Sequence, residues 1–252
     1  MKPLKRYGQN FLIDKNILAF IISRSRPSFQ DCVLEIGPGH GVLTRALLAE
    51  GVACLHTIEL DERLRPELED LAANNDSLKL HFADAVRFDY ATLDPFPDKV
   101  IANIPYNITT PLIWKSLQYP IKYYLLMLQK ELALRLIAPP DTKERYPLGV
   151  AIEAMGHASI VKRVSRKSFR PAPEVDSALV EIVIEKNFGI MKDSSWSELL
   201  HKGFAHRRKT LRNNLGEVAG IYSDKRAEDL TCEQWLDLYK NIKPLLYVEG
   251  AL

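Results

Sequence analysis

The sequence contains little of what marks secreted, metal-binding or membrane-spanning proteins. It has three cysteines in 252 residues, and Cys32, Cys54 and Cys232 lack the spacing of a metal-ligand motif. Its apolar runs, such as YYLLML at 123–128, are far shorter than the roughly 20 residues that a membrane-spanning helix needs. The first 15 residues carry positive charge but no apolar segment typical of a signal peptide. We therefore expect a protein of the reducing cytoplasm that binds no metal and no membrane.

The sequence also lacks a strong overall charge. Its formal net charge is +2, so composition alone does not mark a nucleic-acid-binding protein. Basic residues are nevertheless concentrated in KRVSRKSFR (162–170) and HKGFAHRRKTLR (201–212), and acidic stretches such as ELDERLRPELED (59–70) balance them. Overall neutrality can therefore hide a basic face.

Apolar, strand-like runs alternate with helix-compatible segments through the first two thirds of the chain. The clearest runs are CVLEIG (32–37), ACLHTIEL (53–60), LKLHFADA (78–85) and KVIANIP (99–105), followed by a strand leading into a helix at 123–138 and a late strand at 177–185. This alternation predicts an α/β fold with a parallel, Rossmann-like sheet. From about residue 190 the apolar spacing becomes helical, so we expect one domain over 1–188 and a small all-helical domain over 189–252.

A glycine-rich turn follows the first of these strands. EIGPGHGVLT places Gly37, Gly39 and Gly41 between a strand and a helix, where glycine lets the backbone approach a ligand closely. The spacing is G-x-G-x-G, because Val42 stands where the dinucleotide fingerprint has its last glycine. No lysine follows to hold a phosphate, which argues against a P-loop.

Acidic residues end the next two strands. Glu59 ends the second and could accept hydrogen bonds from both hydroxyls of a ribose, and Asp84 ends the third. This arrangement resembles the S-adenosylmethionine site of class I methyltransferases, in which the first acid holds the ribose and the second recognises the adenine amino group. The alternative is an ordinary glycine-rich turn with two solvated carboxylates.

The stretch NIPY follows the fourth strand and suits chemistry on an aromatic amine. The side-chain oxygen of Asn103 and the carbonyl of Ile104, whose conformation Pro105 restricts, could accept the two N–H bonds of an exocyclic amine and favour its attack on a methyl group. Tyr106 would supply a flat face on which the base stacks. The alternative for Asn103 is a local turn cap.

Several motifs, in order along the chain, are similar to those of the ribosomal RNA adenine dimethyltransferases of the KsgA type. These are RYGQNFLID (6–14), EIGPGHGVLT (35–44), NIPYNITTPL (103–112), MLQKE (127–131), SFRPAPEVDSAL (168–179) and GFAHRRKTLRNNL (203–215). The resemblance spans nearly the whole chain. It implies dimethylation of the N6 amine of two adjacent adenosines near the 3′ end of small-subunit ribosomal RNA, with S-adenosylmethionine as the methyl donor.

The resemblance also implies roles for individual residues. Those expected beside the cofactor are Asn10, Leu12, Gly37, Glu59, Asp84 and Asn103. Phe169 would clamp the target base opposite Tyr106, although a phenylalanine in this position alone more often packs in the core. Arg207, Arg208 and Lys209 are expected on a helix of the C-terminal domain, in contact with RNA phosphates, the alternative being a solvated charged face.

The expected partner is small-subunit ribosomal RNA within a 30S or pre-30S particle, bound by a monomer. Two other functions stay open at this stage. One is that of the erythromycin-resistance methyltransferases, which modify a single adenine in large-subunit RNA and have a similar N-terminal half. The other is that of an assembly factor that acts mainly by binding immature subunits.

Overall fold

The computed structural model describes residues 9–187 and 189–248, which form two compact units. The first unit runs to Ala133 and includes Ser159–Val183, and the second comprises Leu134–Ala158 together with the chain from Ile184 onward. The strands are β1 (Phe11–Leu12), β2 (Cys32–Ile36), β3 (Cys54–Glu59), β4 (Leu78–Phe82), β5 (Lys99–Asn103), β6 (Tyr123–Gln129), β7 (Gly156–Val164), β8 (Phe169–Arg170) and β9 (Ser177–Ile184). The α-helices are α1 (Lys15–Ser25), α2 (Val42–Ala49), α3 (Arg65–Ala73), α4 (Thr109–Ser116), α5 (Lys130–Leu136), α6 (Pro147–Met155), α7 (Ser194–Gly203), α8 (Leu211–Leu215) and α9 (Cys232–Val248).

The main sheet has the strand order β4-β3-β2-β5-β6-β9-β7. Strands β2 to β6 pair in parallel, and β9 runs antiparallel to β6. The central strands are buried on both faces, as parallel strands covered by helices must be, which explains why they read as nearly continuous apolar runs. The predicted Rossmann-like α/β fold is confirmed.

Strand β7 was not predicted from its sequence, GHASIVKRV. It lies last in the strand order and is largely exposed or half-buried. An edge strand can carry polar and charged side chains because one side of it faces solvent, and charges there also block pairing with other chains. The apolar pattern that revealed the central strands is therefore absent.

The strand order reverses direction between β2 and β5. From β2 the chain proceeds to β3 and β4 on one side, and then returns to place β5 and β6 on the other. In open α/β sheets a crevice forms at this reversal, outside the carboxyl ends of the strands. The glycine-rich turn follows β2 and the NIPY segment begins at the last residue of β5, so both lie at this crevice.

In the second unit, helices α6, α7 and α9 pack around Trp196 and Trp235, which are fully buried. A Cβ on Gly203 would lie 2.4 Å from Trp235 Cη2, so only glycine lets the indole pack this closely. The helical character expected after residue 190 is present, and the unit also includes α6 from earlier in the chain. The domain boundary at 188/189 stays a prediction.

Among the described residues, none of the helices combines the length and the apolar character needed to cross a bilayer.

Candidate active site

A cavity of about 850 Å³, including its open mouth, lies at the carboxyl ends of β2, β3, β4 and β5. Nine of the residues singled out from the sequence line it: Asn10, Gly37, Gly39, Glu59, Asp84, Asn103, Ile104, Pro105 and Tyr106. The fold therefore brings together residues that lie almost 100 positions apart in the chain.

The glycine-rich turn forms one wall of the cavity and depends on its glycines. Gly37 and Gly39 have φ values of +71° and +57°, which residues with a side chain rarely adopt. A Cβ on Gly37 would lie 3.2 Å from Pro105 Cδ, and one on Gly39 would lie 2.8 Å from Phe11 Cε1. The turn therefore packs directly against both the NIPY segment and the N-terminal segment.

The N-terminal segment, residues 9–12, forms a second wall. The side-chain amide of Gln9 donates to Asp61 Oδ2 at 2.8 Å, and the ring of Phe11 lies 4.6 Å from that of His40 in the glycine-rich turn. The antiparallel pairing of β1 with β8 holds the segment from the other side. Sequence reasoning missed Gln9 and Phe11 as lining residues, although both belong to the RYGQNFLID motif.

Glu59 is buried and already has several hydrogen-bond donors. Its Oε1 accepts the backbone N–H groups of Leu60 and Asp61 at 2.9 and 2.8 Å, and its Oε2 accepts that of Gly39 at 3.2 Å. A carboxylate has about four lone-pair directions, so one on Oε2 remains for a ligand. Accepting both hydroxyls of a ribose would require Gly39 to release its bond. Burial raises the pKa of Glu59, and the three N–H donors oppose that shift.

Glu35 lies beneath the same turn and was not singled out from the sequence. It is 2% exposed, and its Oε2 accepts a hydrogen bond from Thr44 Oγ1 at 2.7 Å. Burial raises the pKa of Glu35 to about 8, with a smaller contribution from the neighbouring Glu59. The Glu35 carboxyl is therefore mostly neutral at pH 7.

Asp84 also lines the cavity, and its carboxylate keeps acceptor capacity beyond its backbone hydrogen bond. Its Oδ1 accepts the backbone N–H of Val86 at 2.9 Å, while its side chain is 39% exposed and its Oδ2 is 3.6 Å from Arg87 Nε. A carboxylate in this position can accept a hydrogen bond from an amino group.

Asn103 is oriented by the N-terminal segment. Its Nδ2 donates to the backbone carbonyl of Asn10 at 2.9 Å, which assigns Oδ1 to the opposite side of the amide. The next residues form a turn into α4, because the carbonyl of Pro105 accepts Ile108 N at 3.1 Å and Thr109 Oγ1 at 3.2 Å. The structure therefore holds the segment that carries the two predicted amine acceptors in a fixed conformation.

Tyr106 is held through its hydroxyl group. Its Oη lies 2.5 Å from Oγ of Ser177, a fully buried residue at the start of β9. Burial raises the pKa of the Tyr106 hydroxyl, so it stays protonated at neutral pH. The hydrogen bond restrains the position of the ring, which lines the cavity. Nothing in the sequence pattern linked Tyr106 to Ser177.

Two of the residues expected at the site do not line the cavity. Leu12 and Phe169 lie opposite each other in the β1–β8 pair, and their side chains are 5% and 3% exposed within the hydrophobic core. Phe169 thus packs as the alternative interpretation expected. Its clamping of the target base stays a prediction, and it requires the ring to leave the core.

Arg207, Arg208 and Lys209 lie in the second unit, where their placement on a helix was wrong. Helix α7 ends at Gly203, and residues 204–209 form turns before α8. The side chain of Asn214 donates to the carbonyls of Gly203 and His206, which stabilises the turns in place of helical bonds. The three basic side chains are exposed and line a shallow depression.

The cavity fits S-adenosylmethionine. The glycine-rich turn leaves room for close approach, Glu59 has a free lone-pair direction where a ribose would lie, and Asp84 offers an acceptor where an adenine would lie. With the reversal of strand order at the same place, these features define a Rossmann-like methyltransferase that uses S-adenosylmethionine.

Comparison with known proteins identifies the family. The model of the family described as ribosomal RNA adenine dimethylase matches residues 2–243. The ribosomal RNA small subunit methyltransferase A of Rubrobacter xylanophilus is 37% identical over 96% of both chains, and that of Chromobacterium violaceum is 37% identical over 95% of both. The chain belongs to the ribosomal RNA adenine dimethylase family.

Solved structures agree with this assignment. A dimethyladenosine transferase from Plasmodium falciparum superposes with a TM-score of 0.80 at 26% identity, covering 93% of this chain and 98% of the other. The 23S rRNA methyltransferase ErmE superposes with a TM-score of 0.69 at 23% identity, covering 93% of this chain and all of the other. At that identity, the likeness to ErmE shows the fold alone.

Proposed function

We propose that the protein transfers methyl groups from S-adenosylmethionine to the N6 amines of two adjacent adenosines near the 3′ end of small-subunit ribosomal RNA, twice on each. The proposal rests on the oriented amide of Asn103 beside the cofactor cavity and on the names of the curated relatives. We propose further that it acts as a monomer, in the cytoplasm, on RNA within a 30S or pre-30S particle.

The NIPY segment supplies the acceptors for the chemistry. An adenine amine is a poor nucleophile because its lone pair is delocalised into the ring. Asn103 Oδ1 and the carbonyl of Ile104 accept hydrogen bonds from the two N–H groups of the adenine amine. These hydrogen bonds favour the pyramidal form of the amine and stabilise the positive charge that develops on its nitrogen. Tyr106 presents its ring to the base. S-adenosylmethionine, when bound, would supply the methyl group, whose bond to sulfur breaks as the bond to nitrogen forms, and the amine proton would then be lost to water.

The position of the Asn103 amide carries this assignment. Its nitrogen donates a hydrogen bond to the carbonyl of Asn10. This bond restricts the side chain to one orientation, in which the oxygen can accept a hydrogen bond from the substrate. Preorganised acceptors are most valuable where charge develops in the transition state. We therefore expect Asn103 to contribute to turnover more than to RNA binding.

Replacing Asn103 by alanine tests this role. Asn103→Ala is expected to lower kcat at least tenfold, while RNA retention changes little. Single-turnover methylation and filter binding measure the two quantities, and Asn74→Ala, an exposed asparagine that follows α3 in the same unit, is the matched control. Equal losses of RNA affinity and turnover would contradict an amine-positioning role.

The large-subunit alternative is tested by the product. The protein is incubated with labelled S-adenosylmethionine and separate unmethylated small or large ribosomal subunits, and the RNA is digested to nucleosides. We expect labelled dimethyladenosine from the small subunit. Dimethyladenosine from the large subunit alone would favour the erythromycin-resistance function, and tight subunit binding without label would favour an assembly factor.

A further inference from the structure

The basic segment KRVSRKSFR has no role in the site described above. In the structure it comprises the end of β7, a short 3₁₀ turn and β8. Its five cationic side chains, at 162, 163, 166, 167 and 170, are all exposed. We call this surface the 162–170 ridge. It belongs to the first unit, as the cofactor cavity does.

The backbone of the ridge is anchored. Val164, Ser168 and Phe169 point inward and are buried. The hydroxyl of Ser168 donates to Asp14 Oδ2 at 2.8 Å, and its carbonyl accepts the N–H of Ile13 at 2.9 Å. The cations are therefore presented from a fixed base, which lowers the entropy lost when they bind a ligand.

Most of the ridge charge is not neutralised by the protein. Lys162 lies over the ring of Phe20 at 4.6 Å, and Arg166 donates to the backbone carbonyl of Glu174 at 3.3 Å. Within the part of the chain that the structure describes, Arg163, Lys167 and Arg170 have no acidic side chain within ion-pair distance. Five like charges in nine residues repel one another, and an anionic ligand relieves that repulsion.

The ridge adjoins the wall of the cavity. Arg170 pairs with Phe11 across β8 and β1, and both Phe11 and the preceding Asn10 line the cavity. Seven residues after Arg170, Ser177 bonds to Tyr106, on which the target base would stack. A polyanion lying along the ridge would therefore pass directly beside the proposed position of the reacting base.

We infer that the 162–170 ridge binds the phosphates of the RNA strand that carries the target adenosine. This inference rests on the proposed function, because it takes RNA as the substrate. Phosphate contacts position a strand without reading its sequence. The ridge would hold the backbone beside the cavity while the base enters it. Arg170 pairs with Phe11 of the cavity wall, and Lys167, like Arg170, has no acidic side chain within ion-pair distance among the described residues.

The test compares two double variants with the same loss of charge. In Lys167→Gln/Arg170→Gln two ridge cations are removed. In the control, Arg26→Gln/Lys122→Gln, two exposed cations of the same unit are removed, one after α1 and one just before β6, at the opposite end of that strand from the cavity. Binding of a labelled RNA stem-loop with adjacent loop adenosines is measured over a salt series.

The slope of log affinity against log salt is negative, and removing one cation that touches a phosphate reduces its magnitude by roughly 0.7–0.9. The magnitude of the slope of the ridge variant is therefore expected to fall by about 1.4–1.8. The control should keep the wild-type slope, and all three proteins should bind S-adenosylmethionine equally. A ridge variant whose line runs parallel to that of the wild type, or an equal fall in slope in both variants, would overturn the inference.

The same proteins separate this inference from the proposed function. Methylation of unmethylated small subunits by the wild type is measured alongside binding. Absence of methylation by the wild type refutes the proposed function and with it the inference. Methylation by the wild type together with an unchanged salt slope in the ridge variant refutes phosphate binding by the ridge and leaves the proposed function standing.

Discussion

Glu59 offers the sharpest test of the cofactor site. A variant can be chosen that keeps its backbone hydrogen bonds to Leu60 and Asp61 and changes the oxygen that would contact the cofactor. Replacement by alanine would leave three backbone N–H groups without their acceptor, so a weaker affinity could reflect a disordered turn. Glu59→Gln keeps the shape of the side chain. Its oxygen can still accept from Leu60 and Asp61, and its new amide group then faces the N–H of Gly39 and the cavity.

The expected effect follows from the single lone pair that remains on Oε2. The glutamine replaces that carboxylate oxygen by an N–H donor, so a ribose hydroxyl can no longer donate to a charged acceptor there. Losing a hydrogen bond to a charged group costs about 1.5–3 kcal/mol, which is roughly a 10- to 150-fold rise in the Kd for S-adenosylmethionine. Isothermal titration calorimetry measures the Kd.

The control is Glu67→Gln. Glu67 also lies beside the glycine-rich turn, where it contacts His40 Nδ1 at 2.7 Å, but it does not line the cavity. Its Kd should match that of the wild type, and thermal unfolding should show that both variants are folded. A Glu59→Gln protein that binds within twofold of the wild type would refute the ribose assignment.

Three further predictions concern other parts of the molecule. Tyr106→Phe leaves the buried hydroxyl of Ser177 without its partner but keeps the ring, so we expect it to retain much more single-turnover activity than Tyr106→Ala; equal losses would refute stacking. The folded-state pKa of Glu35 is raised to about 8 from 4.5, so its contribution to stability is present below pH 4.5 and lost as pH rises through 8. The melting temperature of Glu35→Gln should therefore rise relative to that of the wild type between pH 5 and 8, and parallel curves would contradict this. Replacing the three cations at 207–209 with glutamine should flatten the salt dependence of subunit binding and leave S-adenosylmethionine affinity unchanged, whereas parallel salt lines would mean that they do not touch phosphate.

The parts of the fold predicted from sequence are those whose burial dictates their composition. Strands β2, β3 and β5 have to be apolar to lie inside a parallel sheet, and a turn with successive positive φ values and close contacts strongly favours glycine. The edge strand β7 and the two-residue strands β1 and β8 carry no such requirement. They were therefore missed.

The predicted site residues divide in a similar way. Glu59, Asp84 and Asn103 were recognisable because each lies at or just after the end of a strand, at the same edge of the sheet. The contacts that orient them come from distant segments, as with Asn10 and Ser177, and one sequence contains no record of such pairings. The turn at 204–209 was mistaken for a helix because the capping side chain that stops α7 lies further along the chain.

The hydrogen bond from Asn103 to the carbonyl of Asn10 also accounts for the choice of an amide at this position. An aspartate has the same shape and could equally accept a hydrogen bond from the substrate amine. It has no N–H to donate, however, so it would set a negative oxygen against the carbonyl of Asn10 and repel the segment that closes the cavity. Asn103, which would accept a hydrogen bond from the substrate amine, thus also holds the N-terminal segment that forms one wall of the cofactor cavity. Replacing Asn103 by aspartate would therefore disturb the binding sites of both S-adenosylmethionine and the target adenine.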